Sequence, residues 1–122
     1  MLTELTIKDF ISKVISNDPV PGGGSVSALN GALAAALSAM VANLTVGRKK
    51  YAEVNDLMQE LSARFEKLSQ KLIEDVDRDS DAYNRVFAAF KLPKETDEEK
   101  QVRSEAIQRE TKYAAQVPME VA

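Results

Sequence analysis

An apolar stripe that recurs every three or four residues from Val54 to Phe90 is interrupted once, and the residue in the gap is a carboxylate, Asp79. Val54, Leu57, Leu61, Phe65, Leu68, Leu72, Val76, Tyr83, Val86 and Phe90 fall on one helical face, and Asp79 lies on that face between Val76 and Tyr83. Asp75 is on the shoulder of the stripe, whereas Asp77 and Asp81 are turned roughly 200° from Asp79 and can sit in water. An unpaired carboxylate among apolar neighbours has its charged form disfavoured, which suits it to give and take protons. The alternative is half of an ion pair, or a helix-cap acceptor, across a bundle. The chain has no histidine and no cysteine. Ser-His-Asp and Cys-His catalysis are therefore excluded within it, as are thiolate nucleophiles, and any metal would have carboxylate oxygens as its side-chain ligands. Asp79 is the candidate general acid or base, with lysine and tyrosine in reserve.

A second stretch, Ser16-Asn17-Asp18-Pro19-Val20-Pro21-Gly22-Gly23-Gly24-Ser25, runs directly into an alanine-rich segment ending at Val46. Two prolines and three glycines predict irregular backbone up to Gly24, with Ser25 or Ser27 as the N-cap of the helix that follows. A helix N-terminus carries about half a positive charge and several free N–H donors, so it suits a carboxylate, a phosphate or a polarised carbonyl. Glycines let a ligand approach the backbone; they equally suit a tight crossing of two backbones. No Gly-Lys-Ser/Thr follows, so the stretch is not a nucleotide P-loop. Near the other end of the same helix, Asn43 and Thr45 are polar groups that bind either a ligand or neighbouring backbone. Arg48, Lys49 and Lys50 are either a solvated helix end or a seat for carboxylates, and Arg103 carries the same two readings.

Four helices must position these groups. Thr6 followed three residues later by Asp9 caps a short amphipathic helix bearing Phe10, Ile11, Val14 and Ile15, which ends before Pro19. Residues 25–46 carry small side chains nearly all round, which predicts the central helix of a bundle, with Gly47 as its C-terminal cap. Residues 50–92 contain no proline or glycine and predict one helix of about 60 Å. Pro93 stops it, Thr96-Asp97-Glu98-Glu99 starts a last helix, and Pro118 predicts a kink there. No segment alternates as a strand does, so the fold class is all-α, an antiparallel bundle with one very long helix. The overhanging apolar seam of that helix calls for a second copy, for further residues past Ala122, or for both; the apolar pattern is still running at Ala122, so the chain is expected to be one helical domain, incomplete at its C-terminus.

Asp18-Pro19-Val20-Pro21-Gly22-Gly23-Gly24-Ser25-Val26-Ser27-Ala28, then Met40-Val41-Ala42-Asn43-Leu44-Thr45-Val46-Gly47-Arg48-Lys49-Lys50-Tyr51, resemble the cyclodeaminase/methenyltetrahydrofolate cyclohydrolase family. Val76-Asp77-Arg78-Asp79-Ser80-Asp81-Ala82-Tyr83 and Lys91-Leu92-Pro93-Lys94 resemble its later motifs. The resemblance implies an enzyme that cyclises 5-formimidoyltetrahydrofolate to 5,10-methenyltetrahydrofolate with release of ammonia, or one that interconverts the methenyl and 10-formyl forms. It implies substrate contact by Pro21, Gly22, Gly23, Gly24, Ser25, Asn43 and Thr45, with Arg48, Lys49 and Lys50 near a folate polyglutamate tail. No cofactor is implied beyond the folate substrate. A catalytically silent helical dimerisation module is the competing reading.

Composition narrows the partners. A 122-residue chain that is 44% hydrophobic and 29% charged, with net charge −3 and pI near 5.0, is ordinary for one domain and argues against a nucleic-acid or anionic-membrane surface. Residues 28–46 are about the right length for a membrane span but are mostly alanine and hold Asn30, Gly31, Ser38, Asn43 and Thr45, which predicts a buried helix instead. Met1-Leu2-Thr3-Glu4-Leu5 has no signal-peptide pattern, so a cytoplasmic protein is expected, and the overhanging seam of the long helix makes a homodimer the expected assembly.

Overall fold

Each helix start is a legible capping event or a departure from one. In the computed structural model, which describes Met1–Ala122, a 3-10 turn at Leu2–Glu4 precedes α1, Ile7–Ile15, whose N-cap Thr6 accepts from the Asp9 amide at 3.1 Å. Only Phe10 of α1 is buried; Ile7, Ile11 and Ile15 face out, so the stripe expected there packs through one residue.

Helix α2, Gly23–Thr45, begins two residues before the predicted start and is capped by Gly22, not by Ser25 or Ser27. The first-turn amides of a helix need no ladder partner, so weak helix formers are tolerated there. None of Gly22, Gly23 and Gly24 uses a positive φ; Gly47 does, at 81°, just past the C-cap Val46, and its N–H donates to Asn55 Oδ1 at 2.8 Å.

The chain then crosses a 3-10 segment, Lys49–Val54, broken at Tyr51, before α3, Asn55–Phe90. The continuous apolar pattern thus predicted the start of α3 about five residues early, because the connection has to reverse direction. At 36 residues α3 is about 54 Å long. Helix α4, Asp97–Val121, is capped by Thr96, which accepts from the Glu99 amide at 3.1 Å, and runs through Pro118 to its end.

The central helix is α3, with α2 packed on one side and α4 on the other, and this corrects the expectation for α2. Helix α2 buries one seam, Ser25, Ala28, Ala32, Ala35, Ala39 and Ala42, while Leu33, Leu37, Met40, Val41 and Leu44 on its other side are about half exposed or more. By length and composition α2 is long and apolar enough to cross a membrane, but its alanine seam is committed to α3. Small side chains bring the two axes close, and a Cβ on Gly31 would meet Leu72 Cδ1 at 3.1 Å. Three polar rungs tie the pair antiparallel: Ser62 Oγ to Asn43 Oδ1, Ser69 Oγ to the Ala32 carbonyl at 3.0 Å, and Ser25 Oγ to the Val76 carbonyl at 2.7 Å. Beneath the last rung lies the apolar cluster Leu2, Phe10, Val20, Ala28 and Val76.

Candidate functional site

The apolar cluster fixes where α2 begins relative to α3, and that junction gathers the N-terminal half of the predicted site. Asp79 is half-buried, and its carboxylate lies against Gly24 so closely that a Cβ built there would be 2.3 Å from Oδ1 and 2.4 Å from Oδ2. Gly24 is in the first turn of α2, where the first backbone bond of the ladder is Val26 N–H to the Gly22 carbonyl; the amides of Gly23, Gly24 and Ser25 therefore lie ahead of the ladder. The carboxylate sits at the positive end of the helix dipole, which favours it there.

Ser25 is fully buried and faces α3. Its Oγ is 2.7 Å from the Val76 carbonyl, 2.7 Å from Ser80 Oγ and 3.5 Å from Asp79 Oδ2. Pro21 is buried, Gly22 is half-buried, and Gly23 faces open space, with nothing within 4 Å of an added Cβ.

The four neighbouring aspartates divide differently from expectation. No lysine or arginine nitrogen is within ion-pair distance of Asp79. The ion pair considered for it belongs to Asp75, the most buried of the four, which takes Lys71 Nζ at 2.7 Å and Arg78 Nη1 at 2.9 Å. Arg78 also reaches Glu120 Oε2 of α4 at 2.7 Å; Glu120 first, then Asp75, push its guanidinium above the ordinary arginine value. Asp77, expected in water, accepts the Leu2 amide at 2.8 Å and Thr3 Oγ1 at 2.6 Å, pinning the N-terminal turn to α3. Asp81 is exposed as expected. Helical phase alone missed the roles of Asp75 and Asp77 because their partners come from one turn away on α3 and from the chain's first residues.

The remaining predicted residues lie at the other end of α2, a helix of 23 residues and so about 34 Å long. There Asn43 bonds Ser62, Thr45 Oγ1 donates to the Val41 carbonyl at 2.8 Å, and Arg48 Nε donates to the Leu44 carbonyl at 3.0 Å. Lys49 is exposed, and Lys50 Nζ lies 5.6 Å from the centre of the Tyr51 ring. Arg103 Nε likewise caps α3 at the Phe90 carbonyl, 3.2 Å away. A groove of about 420 Å³ near this end is lined by Met40, Asn43, Glu66, Ser69 and Gln70 among others. A second pocket of about 270 Å³ lies beside the N-terminal turn, against Asp77, Ser80, Asp81 and Asn84. Within one chain the two groups of candidate residues do not share a cavity.

Comparison with known proteins bears on this geometry. The formiminotransferase-cyclodeaminase family profile matches residues 6–122. A methenyltetrahydrofolate cyclohydrolase of Methylorubrum extorquens is 42% identical over 93% of this chain and 55% of its own length. A formimidoyltransferase-cyclodeaminase of Rattus norvegicus is 36% identical over 99% of this chain and 22% of its own length. The crystal structure of a formiminotetrahydrofolate cyclodeaminase from Thermotoga maritima superposes with a TM-score of 0.81 at 34% identity, over 99% of this chain and 56% of that one. This chain thus spans about half the length of the cyclohydrolase and of the solved cyclodeaminase.

Proposed function

The chain belongs to the formiminotransferase-cyclodeaminase family, and from that premise we propose that it catalyses closure of 5-formimidoyltetrahydrofolate to 5,10-methenyltetrahydrofolate with loss of ammonia. The observation that carries the reading is the Asp79 carboxylate, free of any ion pair and set against Gly24 at the start of α2. In the reaction N10 attacks the carbon of the protonated formimidoyl group, N5–CH=NH2+, giving a tetrahedral carbon between N5 and N10 that carries an –NH2 group. The proton leaving N10 is taken by Asp79, and the same proton is returned to the departing nitrogen, which leaves as ammonia. One carboxylate serves both transfers with no net proton change. The open face at Gly23 leaves room for the substrate beside the carboxylate.

Cyclohydrolase action passes through the same type of tetrahedral carbon, with water in place of the leaving amine. The 42% identity to a cyclohydrolase favours it as the second reading. A spectroscopic assay for methenyltetrahydrofolate, run with the 5-formimidoyl and the 10-formyl substrates separately, distinguishes the two. No turnover of either, together with no tetrahydrofolate-dependent rise in melting temperature, returns the chain to the dimerisation-module reading.

The proposed assembly is a homodimer in the cytoplasm. Its support is the apolar side of α2, where Leu33, Leu37, Met40 and Leu44 recur at helical spacing with no charged residue between Gly23 and Thr45, so two copies meet there without like-charge repulsion.

A further inference from the structure

The seam that α2 buries against α3 is alanine at every position but one: Ala28, Ala32, Ala35, Ala39 and Ala42 follow a single hydroxyl, Ser25. That hydroxyl lies where α3 brings its own buried hydroxyl, Ser80, and the Asp79 carboxylate. Alanine would fill the seam equally well at position 25, so packing alone does not account for the serine.

We propose that Ser25 and Ser80 are positioning residues for Asp79: Ser80 donates to the Ser25 oxygen, and Ser25 donates a hydrogen bond to Asp79 Oδ2 whenever that carboxylate is ionised. The proposal rests on Asp79 as the proton-transfer group.

Hydrogen counting supports it. Ser25 has one proton and three neighbours, the Val76 carbonyl at 2.7 Å, Ser80 Oγ at 2.7 Å and Asp79 Oδ2 at 3.5 Å. With that proton on the Val76 carbonyl, Ser80 must be the donor to Ser25. The Val76 carbonyl lies inside α3, where the helical ladder already supplies it with a donor, so it can release the Ser25 proton at low cost. Ser80 continues to donate while Ser25 turns, and a hydroxyl that accepts one bond is a better donor in the next. The Asp79 contact, at 3.5 Å, is the longest of the three. Ser25 therefore has two seats for its proton, and the second is used when Asp79 has given its own proton to the departing nitrogen.

Little else near Asp79 can do this. Helix α2 has no titratable side chain from Gly23 to Thr45, and Ser25 is the one side-chain donor within hydrogen-bond reach of the carboxylate. On α3, Asp75 is occupied by Lys71 and Arg78, Asp77 by the N-terminal turn, and Tyr83 lies one turn on. Glu120 of α4 is paired with Arg78, and the Met1 amine with Glu4.

The test is the pH dependence of kcat for methenyl formation, with melting temperature, in the purified protein and in Ser25→Ala, Ser80→Ala and Asp79→Asn. Loss of a donor to the charged carboxylate should move the Asp79 limb to higher pH, by on the order of half a pH unit or more in Ser25→Ala and by less in Ser80→Ala. Unmoved limbs, with lower melting temperatures, would make the pair purely structural and overturn the proposal. Should Ser25→Ala fail to fold, Ser80→Ala decides alone on the same criterion. If Asp79→Asn keeps turnover and its pH profile, Asp79 itself is wrongly assigned; if Asp79→Asn is inactive but the serine variants are unmoved, only the serine proposal fails.

Discussion

Gly24 and Asp79 approach so closely that the smallest possible side chain on the glycine, a methyl group, would lie 2.3 Å from the aspartate Oδ1. The two belong to different helices and are far apart in sequence, so the absence of one Cβ sets where the carboxylate stands. Gly24→Ala must displace either the carboxylate or the backbone of α2. A misplacement of about 1 Å can cost about 10² in rate, so turnover should fall by about that much while the folded fraction persists. Gly23→Ala, which meets open space, should keep turnover within a few-fold. Equal losses in the two variants would show that the glycines act by flexibility rather than by this contact.

Asp79→Asn keeps shape and removes charge and proton transfer. Turnover should fall by roughly 10² to 10⁴, the usual contribution of such a group. Because Asp79 has no ion-pair partner to strand, the melting temperature should stay close to that of the parent. Unchanged turnover in a well-folded variant removes Asp79 from the mechanism.

Asp75→Asn is the structural counterpart. It weakens the cluster joining Lys71, Arg78 and, through Arg78, Glu120 of α4. Lys71 keeps access to water, so the expected cost is on the order of 1 to 3 kcal/mol rather than that of a fully buried pair. The melting temperature should fall by several degrees, with kcat per folded molecule unaltered. Arg78 is raised above its ordinary value, so its contribution is complete at all pH values below that value and is lost only in strong alkali. Titration of Arg78 therefore adds no slope to stability across the neutral range, which pH-dependent melting will check.

The exposed side of α2 bears on assembly. Light scattering at micromolar concentration should give twice the monomer mass, and Leu37→Glu, which puts a charge into that seam, should shift the mass to monomer. A monomeric parent protein would contradict the dimer.

Much of this protein is legible one residue at a time. Thr6 and Thr96 announce the starts of α1 and α4, Gly47 takes the left-handed turn after α2, and the missing apolar side chain at Asp79 marks a carboxylate facing another helix. These are local facts, set by capping geometry, by the steric freedom of glycine and by the 3.6-residue period, so the linear pattern contains them. The motif residues likewise pointed to the family that the profile and relatives show.

Partnership was decided only by the tertiary structure. Nothing within α2 says that it buries one alanine seam against α3 and lies at the edge, because a helix of small residues can pack on any side. Nothing within α3 says that Asp75 is the ion-paired aspartate or that Asp77 holds the chain's first residues, and nothing within α2 says that Ser25 is a buried hydroxyl rather than a cap. Those choices depend on the register in which two antiparallel helices meet, which is set by close approach at Gly24 and Gly31 and by the cluster beneath them, and a one-turn slip would give each aspartate a different neighbour.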